Sequence, residues 1–241
     1  MQKAGFPRHF SKKGAISLQI PGVRHYFNGK RRIPEESEFF CRRDVSSVFI
    51  FTRFFVAMEK VKSPCEVIAA VRSAAELEAA LQSPVKTIFL LGGDIQGIAA
   101  AAERIHQAKK HLFIHIDLLE GIRNDASGIR YIKETCQPAG LISTRPACLK
   151  LAHEAGMLAV LRVFLIDSQA VHTAVQHISA CAPEFVEVLP GVSPQIIQVA
   201  KKEFPRRSII AGGLIRNAGD IRNAAAAGAA AVSTSIRELW G

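Results

Sequence analysis

The sequence predicts an α/β fold, a compact (β/α)8 barrel of the TIM type, preceded by an irregular basic N-terminal extension. Three observations carry that reading. From Val61 onward, apolar runs of strand length alternate with segments of helical period, the pattern of a parallel sheet whose strands are joined by helices. There are eight such runs, the number that closes into a barrel. Ser208 to Ser235 displays the repeating unit: an apolar run ending in Gly212 and Gly213, an Ala-rich helix, then a second apolar run, Ala229 to Val232, ending in Ser233, Thr234 and Ser235.

In chain order the expected strands are Val67 to Val71, Thr87 to Leu91, Leu112 to Asp117, Gly140 to Ser143, Ala159 to Leu165, Phe185 to Leu189, Ile209 to Ala211 and Ala229 to Val232. Helices are expected near Ala74 to Gln82, Ile95 to Lys110, Gly128 to Thr135, Ala147 to Ala155, Ser168 to Ala182, Ser193 to Phe204 and Ala218 to Ala227. The second helix is the clearest, with Ile98, Ala101, Ala102 and Ile105 on one stripe over a face carrying Glu103, Arg104 and Lys109. Residues 58 to 241 number 184, below the ~200 at the lower end for such barrels. The barrel is therefore expected without decoration, its last helix, Ile236 to Gly241, hardly more than a turn. A doubly wound open sheet is the competing topology, with ligands at its switch point.

Composition changes abruptly near Met58, which sets the expected boundary between residues 1–57 and a barrel over 58–241. The first 57 residues hold eleven Lys plus Arg against four Asp plus Glu, and nine of the fourteen Phe. That leaves only +3 of the formal net charge of +10 for the barrel. Two readings of the extension stand: a basic arm that grips phosphate backbones, or a disordered tail or upstream sequence, with Met58 the working initiator. The five Cys are scattered, with no CxxC pair and no His at zinc-ligand spacing, as expected of reduced packing thiols in a cytoplasmic protein. No apolar run reaches the ~18 residues that cross a bilayer, and no cofactor or metal-ligand motif is read.

In a parallel barrel the residues closing each strand line a single face, so the chemistry is sought there. Gly212 and Gly213 with Ser233, Thr234 and Ser235 form a phosphate cradle, because small residues let bare N–H groups and hydroxyls converge on an oxyanion. Strand three ends in His115-Ile116-Asp117, strand five carries Arg162, and strand six carries Glu187. Strict alternation sends His115 and Asp117 inward, so that Asp117, Arg162 and Glu187 converge near the mouth, with His115 either a satisfied core histidine or a further contact at the polar end of the ligand. Arg162 between two carboxylates is either a structural ion-pair network or part of a ligand clamp. Asp117 and Glu187 could serve as an acid and base pair, but no Lys falls at a strand end and no Cys sits beside a His there. The two function classes left are a ligand-sensing pocket and an enzyme acting on a small phosphorylated metabolite.

Several runs, in order, strongly resemble the glycerol uptake operon antiterminator family: His115 to Gly121 (HIDLLEG), Gly140 to Thr144 (GLIST), Phe185 to Gly191 (FVEVLPG), Ile210 to Ile215 (IAGGLI) and Ala231 to Ser235 (AVSTS). The resemblance covers essentially all of Met58 to Gly241 and ends in a similar Glu-Leu-Trp tail; residues 1–57 find no counterpart. It implies a bacterial cytoplasmic regulator, not an enzyme, that responds to glycerol 3-phosphate and binds the leader mRNA of glycerol-metabolism genes to prevent termination. The phosphate would then lie on Gly212, Gly213, Ser233 and Thr234, and the hydroxyls would meet Asp117, Arg162 or Glu187. The RNA surface is unassigned. Lys109-Lys110, Lys201-Lys202 and Arg206-Arg207 lie on the face opposite the mouth, Arg123, Arg145 and Arg216 on mouth-side loops. Homo-oligomerisation is left open.

Overall fold

The computed structural model describes residues 65–241; the expected boundary at Met58 and both readings of residues 1–57 lie outside the described residues. Eight parallel strands close into a barrel in sequence order. They are β1 (Glu66–Val71), β2 (Thr87–Leu90), β3 (His111–His115), β4 (Gly140–Ser143), β5 (Leu158–Phe164), β6 (Phe185–Leu189), β7 (Ser208–Gly212) and β8 (Ala231–Thr234). Seven helices alternate with them: α1 (Ala74–Gln82), α2 (Ile98–Gln107), α3 (Ala126–Cys136), α4 (Pro146–Glu154), α5 (Ser168–Cys181), α6 (Pro194–Glu203) and α7 (Ala218–Ala226). Pairing of β1 with β8, Ile68 against Ser233 among others, removes every sheet edge. The open-sheet alternative is thereby set aside.

Each strand alternates between the lumen and the helix layer. Ile68, Phe89, Phe113, Ile142, Val160, Phe185 and Ile210 fill the lumen as one buried cluster. Phe113 packs on Phe89 with ring centroids 5.5 Å apart and edge-on to Phe185 at 6.5 Å. Gly140 makes room for this, since a Cβ there would lie 2.5 Å from the Phe113 ring and 2.6 Å from the Leu158 carbonyl oxygen. The alternate positions, such as Leu141, Leu161, Val186 and Ile209, pack outward beneath the helices. At ~1.5–3 kcal/mol per large side chain buried, these two shells are the main source of stability.

The helices begin where the sequence provides caps. Ser73 with Glu76 and Asn217 with Asp220 form capping boxes, and Asp125 and Asp167 each accept from a first-turn N–H. Pro146 and Pro194 open α4 and α6, where a missing N–H costs nothing.

No eighth helix follows β8 among the described residues; a 3-10 turn, Arg237–Leu239, takes its place. Trp240 then plugs the gap. It is buried in the core cluster with Leu77, and its indole Nε1 donates to the Thr234 carbonyl at 2.9 Å. One aromatic ring thus packs into the core cluster after the last strand, whose closure onto β1 is made by backbone pairing.

Two strands, β3 and β8, end two residues from the sequence expectation, with consequences at the mouth. β3 stops at His115, and Ile116–Leu118 forms a 3-10 turn in which buried Ile116 joins the helix layer. β8 starts at Ala231 rather than Ala229, because the Ala229 N–H is still bonded to Ala224 O in the turn leaving α7. Ser233 and Thr234 are consequently the last residues of the strand and face opposite sides.

Candidate ligand site at the barrel mouth

Five lumen-facing positions meet at the C-terminal ends of the strands: His115 on β3, Arg162 on β5, Glu187 on β6, Gly212 on β7 and Ser233 on β8. Glu187 is their hub. Register places Arg162 beside Glu187 and Gly212 beside Ser233. Arg162 Nε donates to Glu187 Oε2 at 2.6 Å, and Ser233 Oγ donates to Oε1 at 2.6 Å. A Cβ on Gly212 would lie 2.6 Å from Glu187 Oε1 and 2.8 Å from Ser233 Oγ, so the bare glycine gives the carboxylate its berth. Both oxygens of Glu187 are engaged, as a buried charge requires. Among the described residues, the two Nη groups of Arg162 have no partner.

His115 adds an unused group to the same layer. Its ring is 2 % exposed, and its Nδ1 has no hydrogen-bond partner among the described residues. Burial pushes its pKa down to about 4, the positive charge of Arg162 acts in the same direction, and the Asp117 carboxylate pulls the other way. The imidazole is therefore neutral at pH 7.

Asp117 lies elsewhere than strict alternation predicts. Carried by the 3-10 turn, its carboxylate accepts from Thr144 N at 2.8 Å, Thr144 Oγ1 at 3.1 Å and Asn124 Nδ2 at 3.2 Å. Ser143 Oγ donates from 3.0 Å, and Arg145 Nε stands 3.6 Å away. Asp117 fastens the β3 loop to the end of β4 and does not join Arg162 and Glu187 in one cluster. Asn124, which the sequence reading passed over, keeps a buried Oδ1 without a partner among the described residues. Nothing in the sequence marks it, since it sits mid-loop between Arg123 and Asp125.

The cradle after β7 and β8 divides in two. Gly213 and Leu214 both have positive φ, 80° and 61°, forming a tight turn. Among the described residues the backbone N–H groups of Gly213, Leu214 and Ser235 have no partner, and Ser235 is exposed. Successive free N–H groups in a turn form a concavity for an anion. Thr234 instead faces the helix layer: its hydroxyl donates to Ile215 O at 3.0 Å and accepts from Ile236 N at 3.1 Å. It positions the cradle and has no free hydroxyl to offer. The start of α7 is closed to an anion as well, because Asp220 Oδ2 already takes the N–H groups of Arg216 and Asn217.

A sequence profile described as the glycerol-3-phosphate responsive antiterminator family matches residues 67–240. The chain belongs to this family. An Escherichia coli K12 relative, the uncharacterised protein YgcP, is 36% identical over 174 residues, spanning 72% of this chain and 91% of YgcP. The crystal structure of the glycerol uptake operon antiterminator regulatory protein of Listeria monocytogenes 4b F2365 superposes with a TM-score of 0.70 at 31% identity, over 74% of this chain and 96% of that one. An antiterminator-related protein of Thermotoga maritima MSB8 gives 0.65 at 29% identity, over 73% and 98%.

In this antiterminator-family chain, no group of three or more His, Cys, Asp or Glu among the described residues is placed to hold a metal ion. Four of the cysteines, Cys65, Cys136, Cys148 and Cys181, are free and buried. Burial raises the thiol pKa to about 12 at Cys65 and about 11 at Cys136 and Cys181, which suits packing and opposes thiolate chemistry. No helix of the described residues is long and apolar enough to cross a membrane.

Proposed function

We propose that this chain is a cytoplasmic regulator that binds glycerol 3-phosphate at the barrel mouth and, when occupied, binds the leader mRNA of glycerol-metabolism genes to prevent transcription termination. The observation that carries the reading is the unspent hydrogen-bonding capacity around a fixed Glu187. The phosphate lies on the N–H groups of Gly213, Leu214 and Ser235 with the Ser235 hydroxyl. The glycerol hydroxyls reach the Arg162 Nη groups and the neutral His115 Nδ1. Neither a metal nor an organic cofactor is required.

Sensing is favoured over catalysis by how the ionisable groups are employed. Glu187 is held by two donors and Asp117 by several, so neither is free to shuttle a proton. Every Lys of the described residues lies on a helix or in a loop leading into a strand, none at a strand's C-terminal end, so the mouth lacks an amine for a Schiff base.

For the effector to strengthen RNA binding it must favour the RNA-competent state, and a tenfold effect needs ~1.4 kcal/mol of coupling. The test is a calorimetric titration of the full chain with glycerol 3-phosphate, glycerol and inorganic phosphate, alongside fluorescence anisotropy of a labelled leader RNA. Saturable binding of glycerol 3-phosphate well above both fragments, with tighter RNA binding in its presence, is expected. Conversion of the compound by the protein, or no RNA binding at low salt with the effector present, overturns the reading.

A further inference from the structure

The two ends of the barrel differ in charge and in exposed apolar surface. Loops entering the strands carry Lys86, Lys109, Lys110, Arg206 and Arg207 against a single carboxylate, Glu184, which is buried and bonded to His153 Nε2 and the Ala159 N–H. Loops and the tail leaving the strands carry five Arg against six carboxylates, and the first turns of α1 and α7 add Glu76 and Asp220. The mouth also holds exposed apolar side chains, Ile95, Leu118, Phe164, Ile166 and Leu214. The net positive potential therefore lies at the basal end, away from the ligand site.

We propose that the basal face is the surface that grips the RNA phosphate backbone. The inference rests on the function proposed above and assigns the partner to one end of the barrel. Two groups of cations build the surface. Lys86 and Lys109 are exposed on adjacent loops, joined by the His111 N–H bonding to Lys86 O at 2.8 Å. Lys110 braces those loops, its Nζ donating to Ser83 O at 2.7 Å and Val85 O at 2.6 Å. Lys201 and Lys202, in the last turn of α6, form the second group. The Lys201 stem lies along Gly228, with Cγ, Cδ and Cε within 3.5 Å of where a Cβ would stand, so its ammonium is held beside the loop entering β8. The carboxylates of Glu134, Glu154 and Glu203 in neighbouring last helical turns offset only part of this charge. An A-form stem or looped strand presents phosphates to such lysines without base readout, whereas the carboxylates around the mouth repel them.

Effector and RNA then occupy opposite ends of the barrel, and neutralising basal charge should leave the effector site alone. The test measures anisotropy of a labelled leader RNA on the full chain with saturating glycerol 3-phosphate, comparing a Lys86→Gln/Lys109→Gln/Lys202→Gln variant with an Arg145→Gln/Arg216→Gln variant. The basal variant should lose about 10- to 100-fold in RNA affinity near 100 mM salt, with a salt dependence shallower by about two to three in logarithmic slope. Its calorimetric affinity for glycerol 3-phosphate should match the unaltered chain, which also shows that it folds. A loss confined to the mouth variant, or RNA binding unchanged in both, overturns the assignment. Failure of the unaltered chain to bind RNA at any salt overturns the function itself, and the assignment with it.

Discussion

Arg162 commits only its Nε to Glu187, at 2.6 Å, and leaves both Nη groups without a partner among the described residues. A purely structural ion pair this deeply buried, with the two side chains 10 % and 2 % exposed, would be expected to use the guanidinium fork in full. In the function proposed above Arg162 has two roles, neutralising Glu187 and offering its remaining donors to the ligand.

Arg162→Lys separates those roles. Lysine keeps a positive charge opposite Glu187 but loses the planar fork. The barrel should stay folded, with its denaturation midpoint only slightly lowered, while glycerol 3-phosphate affinity falls by roughly 10- to 100-fold, in line with one or two lost charge-assisted hydrogen bonds. Arg162→Met should go further and cost ~3–5 kcal/mol of stability, because Glu187 would then be a buried charge without its partner. An unchanged calorimetric affinity in Arg162→Lys would make Arg162 structural only.

Gly213→Val tests the cradle. At φ +80° a β-branched residue is strained, and even a Cβ would stand 3.2 Å from Leu189 Cδ2. The strain is ~1–3 kcal/mol, small enough for a folded barrel, but the turn that aims the N–H groups of Gly213 and Leu214 should open. Circular dichroism should stay near that of the unaltered protein while the effector response disappears. Full affinity in a folded variant would place the phosphate elsewhere.

His115 gives the site a pH signature. Its pKa is lowered from 6.5 to about 4, so between those values the unfolded chain binds the extra proton and the folded chain does not. Folding is therefore undisturbed by this residue above about pH 6.5 and loses stability as pH falls toward about 4, by roughly 3 kcal/mol in total. Urea denaturation of His115→Gln across that window should show a shallower decline with acid than the unaltered protein. Parallel pH profiles would show that His115 titrates normally in the fold.

The barrel was legible in the sequence because each strand is a short apolar run and each helix carries its own caps; Gly140 to Ser143 and Phe185 to Leu189 coincide with the observed β4 and β6. Strand ends were less so. His115-Ile116-Asp117-Leu118 reads as continued alternation, and only the turn closed by Leu119 N on Ile116 O at 3.4 Å takes Asp117 out of the lumen layer. Likewise Ala229 to Val232 is uniformly apolar, so its hydropathy contains no sign of the two-residue offset that sends Ser233 inward and Thr234 outward. Local patterning finds where a strand lies, but register with its neighbours sets where it stops, and the site is built at those stops.

Asp117→Asn follows from that displacement. As a contact to the ligand, Asp117 would govern affinity directly; as the fastener between the β3 loop and β4, it should govern stability first. Asn presents one amide oxygen to donors that now have two carboxylate oxygens, leaving some of Thr144 N, Thr144 Oγ1 and Ser143 Oγ unpaired at ~1–3 kcal/mol. The denaturation midpoint should fall accordingly, whereas glycerol 3-phosphate affinity, measured below the unfolding range, should change less than about threefold, under ~1 kcal/mol. A larger loss of affinity with stability intact would return Asp117 to the ligand's first contacts and move the glycerol end of the effector toward β3 and β4.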